Sequence, residues 1–277
     1  MKKTFEIDGP LQLDIQLASG DIQIDTGSHE RADVELIARD EASQELVDAA
    51  TVALRGRELV VDVPQRRGGF GLSGLFGGHG ISCRIVCPEG SSVKTRTKSA
   101  DLVVNGTLAG ADVATASGDA KLGDVTGDLS FKGASGDVRA GDVGGRASVN
   151  TASGDIELGR VRGPLSANSA SGDVSVAGAD GDAKANTASG DVSVDAVIAG
   201  EVSVNSASGD VRLGIRRGSR AYLDCSTVSG DTRSELDVSG DEPQGNGPLV
   251  HVKARTVSGD ITIVRAPAPA DTQEVQA

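Results

Sequence analysis

The stretch Asn150–Val194, NTASGDIELGRVRGPLSANSASGDVSVAGADGDAKANTASGDVSV, carries the tetrapeptide Ala-Ser-Gly-Asp three times at intervals of eighteen residues. The same interval joins Ser117, Ser135, Ser153, Ser171 and Ser189, after which Ser208 follows at 19, Ser229 at 21 and Ser258 at 29 residues, each opening Ser-Gly-Asp. Ser19 and Ser99, the latter in Ser-Ala-Asp, extend the series toward the N-terminus. Repetition this strict marks a unit that stacks on copies of itself.

The apolar residues keep the same clock. Around Ser153 they fall at Ala147, Val149, Ala152, Ile156, Leu158 and Val161, and one interval later at Leu165, Ala167, Ala170, Val174, Val176 and Ala179. The gaps run two, three, four, two, three, four, so the unit is two copies of nine, each giving a short strand and a turn. Pairs two apart share one side of a strand, and the longer gaps must bend, which glycine eases. This predicts an all-β chain, a parallel β-solenoid of the β-helix or β-roll kind with about eighteen residues per coil. Its corners are Ser117-Gly118-Asp119, Ser135-Gly136-Asp137, Ser153-Gly154-Asp155, Ser171-Gly172-Asp173, Ser189-Gly190-Asp191 and Ser208-Gly209-Asp210. The residue before each serine (Ala116, Ala134, Ala152, Ala170, Ala188, Ala207, Val228, Val257) is expected to plug the interior, and the aspartate to accept turn amides.

Eighteen residues at about 3.3 Å close a perimeter of roughly 60 Å, a slot that small aliphatics fill. About ten coils at ~4.8 Å make a rod some 45 to 50 Å long, on which Asn150, Asn168, Asn186 and Asn205 stack as an amide ladder. Left-handed hexapeptide helices need an aliphatic every six residues, which these gaps do not supply, so a right-handed or flattened coil is expected.

Organisation follows. Residues 1–98 hold N-terminal strands and a capping segment: a strand from Ala32, one short helix from Glu41 and a hairpin turning at Gly56. Within it, residues 66–80 form a glycine-rich loop. Residues 99–265 are the solenoid, and 266–277 a disordered Pro/Ala-rich tail.

With no tryptophan, one tyrosine and 38 glycines, the core is built from small pieces. The net charge of −13 argues against nucleic acid as a partner. No apolar run could span a bilayer, and the N-terminus alternates rather than forming a secretory core, so a cytoplasmic location is expected. Cys83, Ile85 and Cys87 alternate as one buried face, and three cysteines cannot all pair, so buried thiols are expected rather than a metal or redox site.

The Ser-Gly-Asp-Val repeats, the segment CPEGSSVKTRTKSADLVV (Cys87–Val104) and the want of catalytic motifs resemble the bacterial candidate-adhesin family of beta-strand-repeat proteins, domain of unknown function 4097. The likeness covers residues 8 to 265 or so. It implies a β-strand-repeat fold and an adhesive or envelope-stress role.

Three functions compete: a non-enzymatic scaffold or protein-interaction module, self-associating or not; a calcium-responsive module; and, more distantly, a carbohydrate-active β-helix enzyme. Calcium-binding nonapeptide repeats set the aspartate two residues before the inward aliphatic, whereas Asp155 directly precedes Ile156. The acids obey the repeat rather than breaking it, the three histidines share no spacing, and no nucleophile elbow, phosphate loop or zinc motif occurs. No catalytic residue, cofactor or metal ligand is therefore assigned. Two segments remain as candidate contacts. Arg216, Arg217 and Arg220 stand where the clock fails, and Phe70, Leu72, Leu75 and Phe76 either plug an open end or order on a protein, a second copy or a membrane.

Overall fold

The computed structural model describes residues 1–65, 80–236 and 246–266. One chain winds into a parallel β-solenoid in which each level has a strand before the Ser-Gly-Asp corner and a strand after it. Ala147–Asn150 lies beside Leu165–Asn168, and Ile156–Val161 beside Val174–Ala179, both parallel and eighteen residues out of phase. The serines mark the levels, stacking from Ser19 on Ser99, through Ser117, Ser135, Ser153, Ser171 and Ser189, to Ser208.

Both ends depart from sequence order. The level of Ser258, last in the chain, lies between those of Ser208 and Ser229, because Leu249–Ser258 pairs with Gly200–Ser208 on one side and Arg220–Ser229 on the other. At the opposite end Gln12–Gly27 is enclosed by Ser92–Asn105 on one side and by Glu58–Asp62 and Ile81–Pro88 on the other. Each end is thus held by contacts between residues far apart in sequence.

The capping segment forms as expected. Arg31–Ala38 runs antiparallel to Ile81–Pro88 and to Lys2–Glu6, ending the parallel ladder. Thr51–Arg55 and Glu58–Asp62 form the hairpin, with Gly56 at φ 61°. The helix Glu41–Asp48 starts at a capping box in which Asp40 accepts from Ser43 N at 2.6 Å and Ser43 Oγ accepts from Asp40 N at 3.0 Å. It buries Ser43 and Val47.

Inside the rod the side chains before the corner follow strict alternation, and this corrects one expectation. The residues just before the serines, Ala116, Ala134, Ala152, Ala170, Ala188, Ala207, Val228 and Val257, are all exposed. The inward place belongs to the residue before them: Thr151, Ser169, Thr187, Ser206 and Thr256 are buried. A polar side chain is stable there because its hydroxyl reaches a glycine carbonyl one level back, Thr187 Oγ1 to Gly172 O and Ser169 Oγ to Gly154 O both at 3.3 Å. The true gaps around Ser153 are therefore two, two, five, two, three, and an apolar-only count misses the third position.

Corner glycines are required twice over. Gly172 sits at φ 143°, and a Cβ on it would stand 2.2 Å from Gly154 O. A side chain at Gly172 would hold these two levels apart, whereas the corner of Ser99 accepts Ala100 at the same place. The asparagine ladder forms as expected, with Nδ2 of Asn168, Asn186 and Asn205 donating to Oδ1 of the previous asparagine at 2.9, 2.6 and 2.9 Å.

Candidate interaction surface

The corner aspartates form a second ladder. Oδ1 of Asp101, Asp119, Asp137, Asp155, Asp173 and Asp191 accepts the backbone N–H of the next aspartate at 3.0, 2.9, 3.0, 2.9, 2.8 and 2.7 Å. Asp210 and Asp260 continue it to Asp231, each bond 2.8 Å. The weaker half-repeat does the same, with Asp142 N on Asp124 Oδ1 at 2.9 Å and Arg146 N on Asp128 Oδ1 at 2.8 Å. Amide donors thus offset the repulsion of stacked carboxylates. Arginines finish the row, Arg39 on Asp21 at one end and Arg233 on Asp231 at 3.0 Å at the other. Among the described residues no group of three or more histidine, cysteine or acidic side chains is placed to hold a metal ion.

An open groove of about 440 Å³ lies over the outer face near the capped end, lined by Gln12, Asp14, Glu58, Lys94, Asp112 and Asp128 among others. Asp14 there faces Arg96 at 3.5 Å. Cys83 and Cys87 are fully buried, and desolvation pushes their thiols up to about 12 and about 11. Cys225 is half-buried and raised for the same cause. All three are free thiols.

The arginine cluster lies where the chain skips a level. Ile215 ends the strand of one level and Arg220 begins the strand two levels on, so Arg216–Ser219 must cross the slot that Leu249–Arg265 fills. Ser219 N–H bonds Arg216 O at 3.1 Å, and Ser219 Oγ bonds Ile198 O at 2.7 Å. Arg220 Nε donates to Gly247 O at 3.0 Å. Arg265, which sequence reading did not single out, joins the group: its Nη1 reaches Ser219 O at 3.2 Å and Arg216 O at 3.4 Å. Phe70, Leu72, Leu75 and Phe76 lie outside the described residues.

Exposed apolar side chains gather at the same end. Val228 is 83% exposed, Tyr222 57% and Val257 55%, against 38% for Met1 and Ile37 near the cap. Val228 and Val257 sit on neighbouring levels, and Tyr222 meets the His251 ring at 5.8 Å. One residue could have revealed this face: Lys98 precedes Ser99 as Ala152 precedes Ser153, and a lysine there marks the position as outward.

A family model described as Toastrack DUF4097 matches residues 11–264. A candidate adhesin from Parabacteroides distasonis is 14% identical at a TM-score of 0.53, and one from Bacteroides fragilis 12% identical at 0.50; each match covers 95% of this chain and 96% of the other. At such identities the likeness shows the fold alone. No curated protein matches.

Proposed function

The chain belongs to the Toastrack DUF4097 family, and from that premise we propose that it acts as a non-enzymatic, adhesin-like interaction scaffold, an acidic rod that makes its contacts through its C-terminal levels. The observation that carries this reading is the concentration of Tyr222, Val228 and Val257 on the last two levels, with Arg216, Arg217 and Arg265 at the crossing that leads into them. Exposed aromatic and aliphatic side chains flanked by arginine have the composition of contact surfaces. Along the body, by contrast, the corner carboxylates already hold backbone amides, which suits a structural task better than general acid or base chemistry. The adhesive sense comes from the names of the two structural relatives and is part of the proposal.

A photo-cross-linking residue placed at Tyr222 or at Glu157, both exposed but the second in mid-rod, separates the outcomes. Capture of partners from position 222 and little from 157 is expected. Equal yields from the two positions, or turnover of an acidic polysaccharide by the purified chain, would overturn the reading.

A further inference from the structure

In the interior levels the backbone amides around the corner are spent on the next level. Thr151 N–H reaches Asn168 O at 2.9 Å, Gly154 N–H reaches Ser171 O at 3.0 Å, and Val174 N–H reaches Asp191 O at 2.9 Å. At the terminal level the equivalent groups belong to Thr227, Gly230 and Thr232. Arg220–Ser229 pairs only with Leu249–Ser258, and Thr232–Ser234 only with Ile261–Arg265, so no described strand lies beyond this edge. Its inward side chains, Ala221, Leu223 and Cys225, are half covered, whereas Val250, Val252 and Ala254 one level in are fully buried. A free edge of this length is a template for one more strand.

The composition of the edge says which strand. The other end of the rod is closed by antiparallel strands and a helix, so a second copy cannot continue the rod head to tail. Lys2–Glu6 and Thr51–Arg55 are each paired on one side alone, but among the described residues the C-terminal edge is the one that leaves a level of the coil itself open. We propose that this level is completed by the same level of a second copy, strand Arg220–Ser229 pairing antiparallel with itself about a two-fold axis at Cys225, a deepening that rests on the C-terminal levels being the contact end.

The sequence is self-complementary in this register. Tyr222 falls opposite Val228 of the second copy on the outer face, an aromatic against a β-branched side chain, while Leu223 meets Thr227 inside and Asp224 meets Ser226. A register centred one residue earlier would set Asp224 against itself. On the other side of the coil, centring on Ser234 brings Arg233 against Glu235 of the second copy. Both centres carry inward side chains, so the two interiors become one. The contact is isologous, and assembly stops at two. Opposed Cα atoms of an antiparallel pair lie about 4.5–5.5 Å apart, within disulfide reach, so Cys225 reports the register.

Sedimentation of the whole chain tests this, reduced and after mild oxidation, beside Cys225→Ser and the double variant Tyr222→Lys/Val228→Lys. Expected are a wild-type dimer linked through Cys225 on oxidation, an unlinked Cys225→Ser dimer, and a lysine variant that is a cooperatively folded monomer, melting no lower than the wild type does once diluted to monomer. A dimer that persists in the lysine variant, or one that never links at Cys225, overturns the pairing. A wild-type monomer overturns it as well; if that monomer still cross-links other proteins from position 222, the contact end stands without self-pairing, and if it captures none, both readings fail.

Discussion

The Phe131 ring occupies the space that Gly133 leaves empty: a Cβ on Gly133 would lie 2.8 Å from Phe131 Cε1. Most other levels carry threonine or serine at the place of Gly133, the level of Ser19 carrying Leu17, and among the described residues only this level admits an aromatic ring to the narrow slot, fully buried. Gly133→Ala should therefore destabilise by about 1–3 kcal/mol through overpacking. Phe131→Leu alone should cost a comparable amount by leaving a cavity. The double variant should lose clearly less than the sum of the two, read from urea midpoints; strict additivity would refute the contact.

The buried thiols make stability fall at alkaline pH. Cys83 is held near 12 in the folded chain against an ordinary 9.0, so above pH 9 the unfolded chain releases a proton that the folded chain keeps. A raised acid pKa costs stability as pH rises, by up to about 1.4 kcal/mol per unit between the two values. Cys87, near 11, adds to the slope. Melting curves from pH 8 to 10.5 should thus fall more steeply for the wild type than for Cys83→Val, with parallel curves counting against the burial of the thiolate-forming group.

The register correction gives a direct contrast. Ala170 points out and Ser169 points in, with Ser169 Oγ on Gly154 O at 3.3 Å. Ala170→Asp should leave the melting temperature nearly unchanged, whereas Ser169→Asp buries a charge and should cost several kcal/mol. Val174→Asp and Ser175→Asp repeat the contrast after the corner, where Val174 is buried and Ser175 exposed. Equal melting temperatures within either pair would sink the register.

These positions also show what was legible in the sequence. The eighteen-residue clock, the corner glycines, the Asn150–Asn205 ladder and the cap with its hairpin at Gly56 could all be read, because each follows from local spacing or backbone chemistry. Thr151 and its equivalents could not be placed by counting apolar residues, since their burial depends on a carbonyl one level away. Nor could the order of the end levels be read. Ser229 and Ser258 head the same triplet, and identical corners stack equally well on any neighbour, so only the crossing at Arg216–Ser219 distinguishes the two arrangements. Arg265 joined the arginine cluster by that same interleaving, which brings residues 46 apart into contact.

The aspartate ladder separates capping from cation binding by a change of one atom. Asp155 Oδ1 accepts Asp173 N–H at 2.9 Å, and its own N–H is taken by Asp137 Oδ1 at 3.0 Å. The substitution Asp155→Asn keeps an Oδ1 acceptor while removing one charge from a row of like charges. It should therefore match or exceed the wild type in stability, whereas Asp155→Ala, which leaves an amide without its partner, should lose about 0.5–1.5 kcal/mol. A divalent ion at the corners would reverse the first expectation, because the neutral amide is the poorer ligand for a hard cation and both variants would then fall together. Thermal melts of the three proteins with and without chelator decide between the two, the ladder requiring that the asparagine variant exceed the alanine variant by the same margin in both conditions.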